Sequence, residues 1–434
     1  MSSADNPPNC FAVFIFFILS VAMKTFLFAF AITVAVASFV RAEIPREKID
    51  QAERIMWSRF FLPRTNLFYE CLTSFDDKTC QNHLPTADEV KRQYPNPCGY
   101  ATGMEDCAIL GGTALAALAD KYEATADKRI AAQAKKVLAG LDDLVQPDGF
   151  VARGICPEDG KSVYANSSID QYTHCVHGLW KYYRSPLSDS ADRAKIKGAI
   201  LRVAERPRRN VNEKNDFDSL RLDGKHCALR ISRFTFDSPH SAARLPMIYA
   251  AAWDVSKDSD YLELYRECIE KAVAVSEKIA INSHTPIYSF LQMQISLELL
   301  RELETDPALK ARISALMDKV VGLCLQLSPK LEKRFAGTQT DTLYGDWRNP
   351  ERIEVRNGYN IPKLGHSRDV WRTVRETGEL PLIAALAPSG KIPPRIGKFF
   401  EEAAEKTDYE RCASCGVLFH WAAYWTAQKQ KLGK

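Results

Sequence analysis

The chain has 434 residues, of which 46% are hydrophobic and 26% charged, and its formal net charge is +4. This composition is typical of a folded globular protein, not of a disordered or fibrous one. Positive and negative residues are interspersed, and no long basic run alternates with aromatic residues, so binding to nucleic acid is not expected. The charge is compatible with a mildly basic cleft for an acidic substrate.

The first 42 residues have the pattern of an export signal. Met23-Lys24 forms a short positive segment, residues 25–40 are apolar, and residues 40–42 have the small-x-small pattern of a cleavage site. We therefore predict a signal peptide over residues 1–42, with Met23 as the candidate translation start, and a mature domain over 43–434. A membrane anchor is the alternative. The signal interpretation predicts a periplasmic or secreted protein without membrane contact after cleavage.

Cysteine spacing is the next observation, since export permits disulfides. Eleven of the twelve cysteines follow residue 42, so at least one thiol stays free or pairs between chains. The close pairs are Cys71/Cys80, Cys98/Cys107 and Cys412/Cys415. The last pair is a single CxxC, for which a disulfide or two buried thiols is favoured over zinc or redox chemistry.

Helical periodicity dominates the chain, and strand patterns are sparse. About a dozen helices are predicted, in chain order 46–60, 104–121, 128–144, 169–184, 191–206, 242–253, 261–279, 287–303, 308–327, 369–376, 381–387, 397–405 and 412–430. Many are paired as hairpins, and the breaks at 122–127 and 253–258 look like one connection used twice. The irregular spacing of the hairpins favours a closed ring over an open solenoid.

Long polar loops over 148–166, 210–239 and 337–365 separate the hairpins. In a ring of hairpins such loops gather at one end, where they can build a cleft. They are rich in Arg, Asp, His, Tyr and Trp, which a merely connecting loop has less reason to contain.

The hairpin pattern resembles the six-hairpin (α/α)6 toroid glycosidases and polysaccharide lyases over residues 46–430. Gly103-Met-Glu-Asp106 opens one inner helix and Asn166-Ser-Ser-Ile-Asp170 opens the next. This layout is similar to that of the unsaturated glucuronyl and rhamnogalacturonyl hydrolases, where two aspartates face each other in the mouth of the toroid. The resemblance implies an all-α, single-domain (α/α)6 toroid in which Asp170 is the general acid/base and Asp106 its partner carboxylate.

Paired carboxylates in a partly dry cleft suit glycosidic bond cleavage, because their pKa values are pushed apart and one holds a proton. The implied function is a glycoside hydrolase that acts on acidic, uronic-acid-containing oligosaccharides. The alternative interpretation is that both aspartates only stabilise the first turns of their helices.

Eight further residues are predicted to bind substrate: Arg153, Tyr172, His174, His177, His240, Trp347, His366 and Arg368. Two of them, His174 and His177, follow Asp170 along the same helix. The alternative interpretations are that the histidines are core residues with satisfied hydrogen bonds, that Arg153 forms an ion pair between a loop and a helix, and that Trp347 packs between helices. No third metal ligand accompanies the Asp170 helix and no Gly-rich phosphate loop is present, so neither a metal nor a cofactor is expected.

Two other functions stay open at this point. A polysaccharide lyase needs a base and a group that neutralises the uronate, for which Tyr172, His174, His240, Asn166 and Arg153 are candidates. A glycan-binding toroid without catalysis is the other alternative. The sequence leaves the oligomeric state open.

Overall fold

The computed structural model describes residues 45–282 and 285–432 of the chain. The predicted export signal, residues 1–42, lies outside the described residues and stays a prediction. Within the described part, no helix is both long enough and apolar enough to cross a membrane.

Thirteen α-helices and two short antiparallel β-hairpins form the described part of the chain. The helices are α1 (Arg46–Ile55), α2 (Ala87–Lys91), α3 (Cys107–Thr125), α4 (Ile130–Leu144), α5 (Ile169–Arg184), α6 (Ser190–Asn210), α7 (Arg244–Ser256), α8 (Ser259–Ser276), α9 (Ile287–Leu303), α10 (Pro307–Ala336), α11 (Gly365–Leu386), α12 (Pro394–Lys406) and α13 (Val417–Leu432). The strands are β1 (Phe61–Leu62), β2 (Leu67–Phe68), β3 (Arg352–Arg356) and β4 (Tyr359–Lys363).

Six helices form a closed inner ring. Each of α3, α5, α7, α9 and α11 packs against the next inner helix, and α13 packs against both α11 and α3. The other long helices lie outside this ring: α1 packs on α13, α4 on α3, α6 on α5, α8 on α7, α10 on α9 and α12 on α11. This arrangement is the predicted (α/α)6 toroid, and its inner helices are buried on almost every side.

Glycines set the closest approaches inside the ring. A Cβ added to Gly112 of α3 would lie 2.1 Å from the carbonyl oxygen of His174 on α5, and one added to Gly178 would lie 2.3 Å from the carbonyl oxygen of Gly112. No side chain fits at either position, so the two backbones can touch only because both residues are glycine. This contact fixes α3 beside α5 and therefore Asp106 near Asp170.

The two similar helix breaks have the same geometry, as predicted. α3 ends at Ala126 and α7 ends at Lys257, both left-handed with φ of 56° and 61°. In each case the backbone N–H of this residue donates to a carbonyl four residues earlier, on Tyr122 and Trp253. The left-handed residue stops the helix and turns the chain back along the outside of the ring.

Several predicted helix boundaries are wrong. The separate helices over 369–376 and 381–387 are one helix, α11, which passes through Pro381. A proline inside a helix costs about 3 kcal/mol. The buried side chains of α11 around it outweigh this cost, since burying each large apolar side chain contributes about 1.5–3 kcal/mol. α10 likewise continues past residue 327 to Ala336, and α13 begins at Val417, not at residue 412.

The loop over 337–365 was predicted without strands, but it contains the β3–β4 hairpin. All eleven cysteines in the described residues are thiols, and Cys412 and Cys415 are both buried, which is one of the two alternatives predicted for that pair. Cys98 forms a hydrogen bond with Cys227 of the loop over 210–239, and this bond lowers the pKa of Cys227 to about 6.

Candidate functional site

A cleft opens at the end of the ring where the inner helices begin. Its inner cavity has a volume of about 150 Å³ and its outer chamber about 700 Å³. The residues that line both are Tyr100, Glu105, Tyr288, Arg368 and Arg372, so the two spaces are continuous. All three long loops contribute to this end of the ring, as the sequence predicts: Arg153 lines the cavity, and Ile231 and Tyr344 line the chamber.

Asp170 is the most accessible carboxylate of the inner cavity. It lies in the first turn of α5, and its side chain is 30% exposed. One of its oxygens accepts a hydrogen bond from Arg244, the first residue of α7, which also donates to Gln292 of α9 at 2.7 Å. Because the guanidinium of Arg244 is buried, Asp170 is held in place from one side and faces the cavity on the other.

Asp106, at the N-terminus of α3, has a more enclosed environment. Its oxygens accept hydrogen bonds from Arg375 at 2.8 Å, Arg153 at 3.4 Å and Gln171 at 2.9 Å. Burial acts to raise the pKa of Asp106, but the charges of Arg375 and Arg153 outweigh it and the pKa is lowered. Asp106 is therefore ionised, and it orients the guanidinium groups of Arg375 and Arg153 and the amide of Gln171.

Glu379 lies in the wall of the inner cavity, further along α11. Arg375 donates to one oxygen at 2.7 Å, while the other oxygen is buried and has no hydrogen-bond partner in the described part of the chain. Burial raises the pKa of Glu379 to about 7, against the opposing charge of Arg375. The inner cavity thus holds carboxyl groups in contrasting states, with Asp106 ionised and Glu379 able to keep a proton near neutral pH.

One face of α11 supplies most of the cationic groups. Arg368, Arg372, Arg375 and Glu379 follow at intervals of four, three and four residues and therefore share a face. Arg368 pairs with Glu105 at 2.5 Å and lies 3.9 Å from the centre of the Trp371 ring. This arginine ladder runs from the outer chamber into the inner cavity.

The structure brings together four of the ten residues predicted for the site. Asp106, Asp170, Arg153 and Arg368 line the inner cavity. His240 lies close to this group: it is half-buried, its Nδ1 lies 3.0 Å from the Ser238 hydroxyl, and burial together with the charge of Arg244 lowers its pKa to about 4.

The other five predicted residues lie away from the surfaces of the cleft. Tyr172 is buried against Phe234, and the indole of Trp347 donates to the carbonyl of His83 at 2.7 Å. His366 is exposed at the start of α11. The remaining two, His174 and His177, are buried deeper in the ring.

Those two histidines belong to a separate, nearly closed space of about 20 Å³ along the axis of the ring. His174 Nδ1 lies 3.1 Å from the Thr113 hydroxyl, and His177 Nε2 lies 2.7 Å from Glu298. They share the face of Asp170, but the rise of an α-helix places them about 6 Å and 10 Å further along its axis. Helical spacing therefore predicts correctly which face of α5 the two histidines occupy, but not how far along the helix axis they lie from the cleft.

The sequence interpretation missed most of the residues that line the inner cavity: Tyr100, Glu105, Ile109, Tyr288, Gln292, Trp371, Arg372, Arg375, Glu376 and Glu379. A signal for part of this set exists, because the charged residues of α11 repeat at helical spacing. The predicted break before Pro381 divided that pattern and concealed it. Within residues 45–282 and 285–432, no cluster of three or more His, Cys, Asp or Glu side chains is arranged to hold a metal ion.

No model of a known protein family matches the sequence, and no curated protein matches it. Among solved structures, the chain is similar to an α-1,6-mannanase of glycoside hydrolase family 76 from Salegentibacter sp. HEL1_6, with a TM-score of 0.42 and 12% identity over 89% of this chain and 99% of that one. It is also similar to a family 76 mannosidase from Bacteroides thetaiotaomicron, with a TM-score of 0.44 and 12% identity over 89% and 100% of the two chains.

A sugar epimerase from a ruminal bacterium gives a TM-score of 0.46 and 9% identity over 89% of this chain and 99% of that one. Similarity at this level adds nothing to the fold assignment, which rests on the helix contacts of the ring, and it transfers no activity to this chain.

Proposed function

We propose that this protein is a glycoside hydrolase that acts on acidic oligosaccharides in the cleft at the N-terminal end of the inner ring. The observation that carries the proposal is the inner cavity itself, which gathers the carboxyl groups of Asp106, Asp170 and Glu379 with the guanidinium groups of Arg153 and Arg375. Carboxyl groups in contrasting electrostatic environments are what protonation of a glycosidic oxygen and activation of water require.

Asp170 is the residue that we assign to the reacting bond. It is the carboxylate with the greatest access to the cavity, and the buried Arg244 fixes its position. Asp106 acts as the partner carboxylate, because its arginine contacts keep it ionised beside a developing positive charge. Arg153 and Arg375 are already engaged by Asp106, so they stabilise the site more than they bind substrate.

The acidic nature of the substrate is supported by the cations around the cavity entrance. Arg368 and Arg372 line both the inner cavity and the outer chamber, and Arg372 is exposed. A guanidinium group can bind a uronate carboxylate through two parallel hydrogen bonds. An unsaturated uronide, as in the hydrolases that the sequence resembles, is the specific substrate form that we propose to test first.

The same geometry leaves less support for a lyase built from the residues that the sequence nominated. Tyr172, His174 and Asn166 are buried outside the two cavities, so they have no access to a polysaccharide in the cleft. Tyr100 and Tyr288, which line both cavities, are the tyrosines that a lyase at this site could use.

The test is to incubate the purified protein with lyase-treated acidic oligosaccharides and with the intact polysaccharides, and to follow the absorbance of the enol-ether band. The proposal expects absorbance to fall on the unsaturated oligosaccharides, or reducing ends to appear on saturated ones. A rise on intact polysaccharide would identify a lyase instead. No product from any acidic glycan would refute the proposed function.

We also propose that the protein is exported, to the periplasm or the outside of the cell. The support is the sequence pattern of residues 23–42, which lies outside the described residues. Amino-terminal sequencing of the mature protein tests it: a mature chain beginning at Glu43 is expected, and a retained apolar segment would indicate the membrane-anchor alternative.

A further inference from the structure

The outer chamber contains arginines that have no partner among the described residues. Arg352 and Arg356 on β3 and Arg372 on α11 line it, and all three side chains are exposed. Among the described residues, none of the three forms an ion pair or a side-chain hydrogen bond. The arginines of the inner cavity differ in this respect, since Arg153, Arg368 and Arg375 each pair with a carboxylate.

The register of the hairpin explains why these arginines converge. Side chains alternate along a strand, so Arg352 and Arg356 share one face of β3, and Ile353 and Val355 point the other way and are exposed. Glu354 lies between the two arginines on their face, but Lys363 of β4 pairs with it at 3.0 Å. The face that lines the chamber is therefore positive on balance.

The hairpin is docked on the rest of the protein. Asn96 donates to the carbonyl of Asn360 at 2.9 Å, Arg221 donates to the Tyr359 hydroxyl at 3.1 Å, and Asn357 donates to the carbonyl of Ala228 at 3.1 Å. These contacts come from the segment before α3 and from the loop over 210–239. They hold the backbone of the hairpin across the chamber from α11, so binding an anion there needs ordering of the two arginine side chains but no movement of the hairpin.

Five cationic and three acidic side chains line the chamber. Of the three carboxylates, Glu105 pairs with Arg368, which leaves Glu351 and Asp369 near the three unpaired arginines. The chamber volume of about 700 Å³ is in the usual range of small-molecule sites, roughly 300–1,000 Å³. It is also continuous with the inner cavity, so one oligosaccharide can occupy both.

We infer that the outer chamber is a second anion subsite, which binds a carboxylate or sulfate ester on the sugar unit next to the one held in the inner cavity. This inference rests on the proposed function and narrows it. The substrate class is an oligosaccharide with anionic groups on neighbouring units. A single anionic sugar fills only the inner cavity and makes no contact with Arg352 or Arg356.

The test is isothermal titration calorimetry with defined glycans: a uronic acid monosaccharide, an unsulfated uronate tetrasaccharide, its sulfated form and its carboxyl-reduced neutral form. The variant is the double substitution Arg352→Gln with Arg356→Gln. We expect its dissociation constant for the anionic tetrasaccharide to rise about 100-fold, roughly tenfold for each lost charged contact, and that for the monosaccharide to stay unchanged. Comparison of the sulfated and carboxyl-reduced glycans shows which anion the chamber prefers.

The matched control is Arg129→Gln with Lys398→Gln, which removes two exposed positive charges on outer parts of the ring. An equal loss of affinity in this control would mean that only the overall charge matters, and unchanged affinity in the hairpin variant would also overturn the subsite. If no glycan is cleaved but binding depends on the hairpin arginines, the proposed function fails and the subsite stands. If cleavage occurs with the same KM in both variants, the subsite fails and the proposed function stands.

Discussion

Two groups of charged side chains lie along the axis of the ring, and they differ in pairing and access. Deep in the ring, Lys181 contacts Asp120 at 2.8 Å and Glu298 at 3.3 Å, and His177 and Lys429 complete a network around a space of about 20 Å³. At the open end, Asp170 faces a cavity of about 150 Å³, and Arg372 beside it has no ion pair among the described residues.

The comparison shows that charged groups alone do not identify a functional site. In the deep network the charges satisfy one another, and the space of about 20 Å³ is too small for a sugar. At the open end Asp170 is accessible. Arg352, Arg356 and Arg372 have no ion pair among the described residues, so a ligand can supply the missing partners. We therefore expect substitutions in the deep network to change stability and those at the open end to change activity.

The largest expected effect is on turnover by Asp170→Asn. An amide can still accept the hydrogen bond from Arg244, so the fold should persist, but it cannot transfer the proton that the reaction needs. We expect kcat to fall by roughly 10²–10⁴-fold, which is the usual contribution of a general acid or base. Steady-state kinetics on the active oligosaccharide, together with a thermal melt, measure this.

The control for that substitution is Asp318→Asn, at an exposed position of outer helix α10. It makes the same chemical change outside the cleft and should leave kcat unchanged. Retention of more than a tenth of wild-type kcat by Asp170→Asn would show that another group makes or breaks the bond.

The next effect is on stability, in the deep network. Lys181→Met leaves the buried carboxylates of Asp120 and Glu298 without the cation between them. Removing one member of a buried ion pair typically costs about 3–5 kcal/mol of unfolding free energy. Urea unfolding should show this loss, and kcat of the folded protein should stay within about twofold of wild type. If Lys181→Met is fully stable but inactive, the deep network would be needed for activity and not for stability, which contradicts the roles assigned to the two regions.

The third effect concerns the pH dependence of stability at Glu379. Its ordinary pKa of 4.5 rises to about 7 in the folded protein. Between these values the unfolded state loses the proton and the folded state keeps it, so the contribution of Glu379 to wild-type stability should fall by roughly 3 kcal/mol as pH rises from 4.5 through 7. Below pH 4.5 both states are protonated and the cost disappears.

Glu379→Gln removes this titration. Unfolding free energies measured between pH 4 and 8 should therefore favour the variant more strongly as pH rises, whatever the constant offset between the two proteins. The exposed substitution Glu302→Gln is the control. Parallel stability curves for wild type and Glu379→Gln would show that the buried carboxyl is not kept protonated by the fold.

The smallest effect is expected at His366, which the sequence nominated for substrate binding. It is exposed and does not line the inner cavity or the outer chamber. His366→Ala should change KM by less than about twofold, because an exposed side chain outside the inner cavity and the outer chamber makes no contact with substrate. Substitutions at such surface positions usually have little effect on stability as well. A larger change, measured with the same oligosaccharide, would extend the binding surface beyond the two spaces described.

The sequence predicts the ring well because its helices are long, periodic and separated by clear breaks. The helix boundaries 169–184 and 287–303 agree with α5 and α9 to the residue. Pro381 is the instructive failure. Proline locally favours the end of a helix. The packing of α11 against α9, α10 and α13 outweighs this preference, and these contacts are visible only in the folded structure.

The site was predictable where it lies at helix starts and not where it depends on depth or on distant segments. Asp106 and Asp170 could be found because they begin successive inner helices. His174 and His177 were nominated on the correct face, but distance along the helix axis decides whether a side chain reaches the cleft. The hairpin that carries Arg352 and Arg356 has a sequence signal that the interpretation missed, because Ile353 and Val355 alternate with charged residues before the turn residues Asn357 and Gly358. Its position across from α11 depends on distant segments and could not be predicted.

The most direct test of the central claim, that the open end of the ring is where glycan is bound and cleaved, is a crystal structure of Asp170→Asn soaked with an acidic tetrasaccharide. We expect one sugar unit in the inner cavity, with its glycosidic oxygen within hydrogen-bond distance of the side chain at position 170, and an anionic group of that unit or its neighbour at Arg372. A tetrasaccharide bound anywhere else on the protein, with the inner cavity empty, would contradict the account.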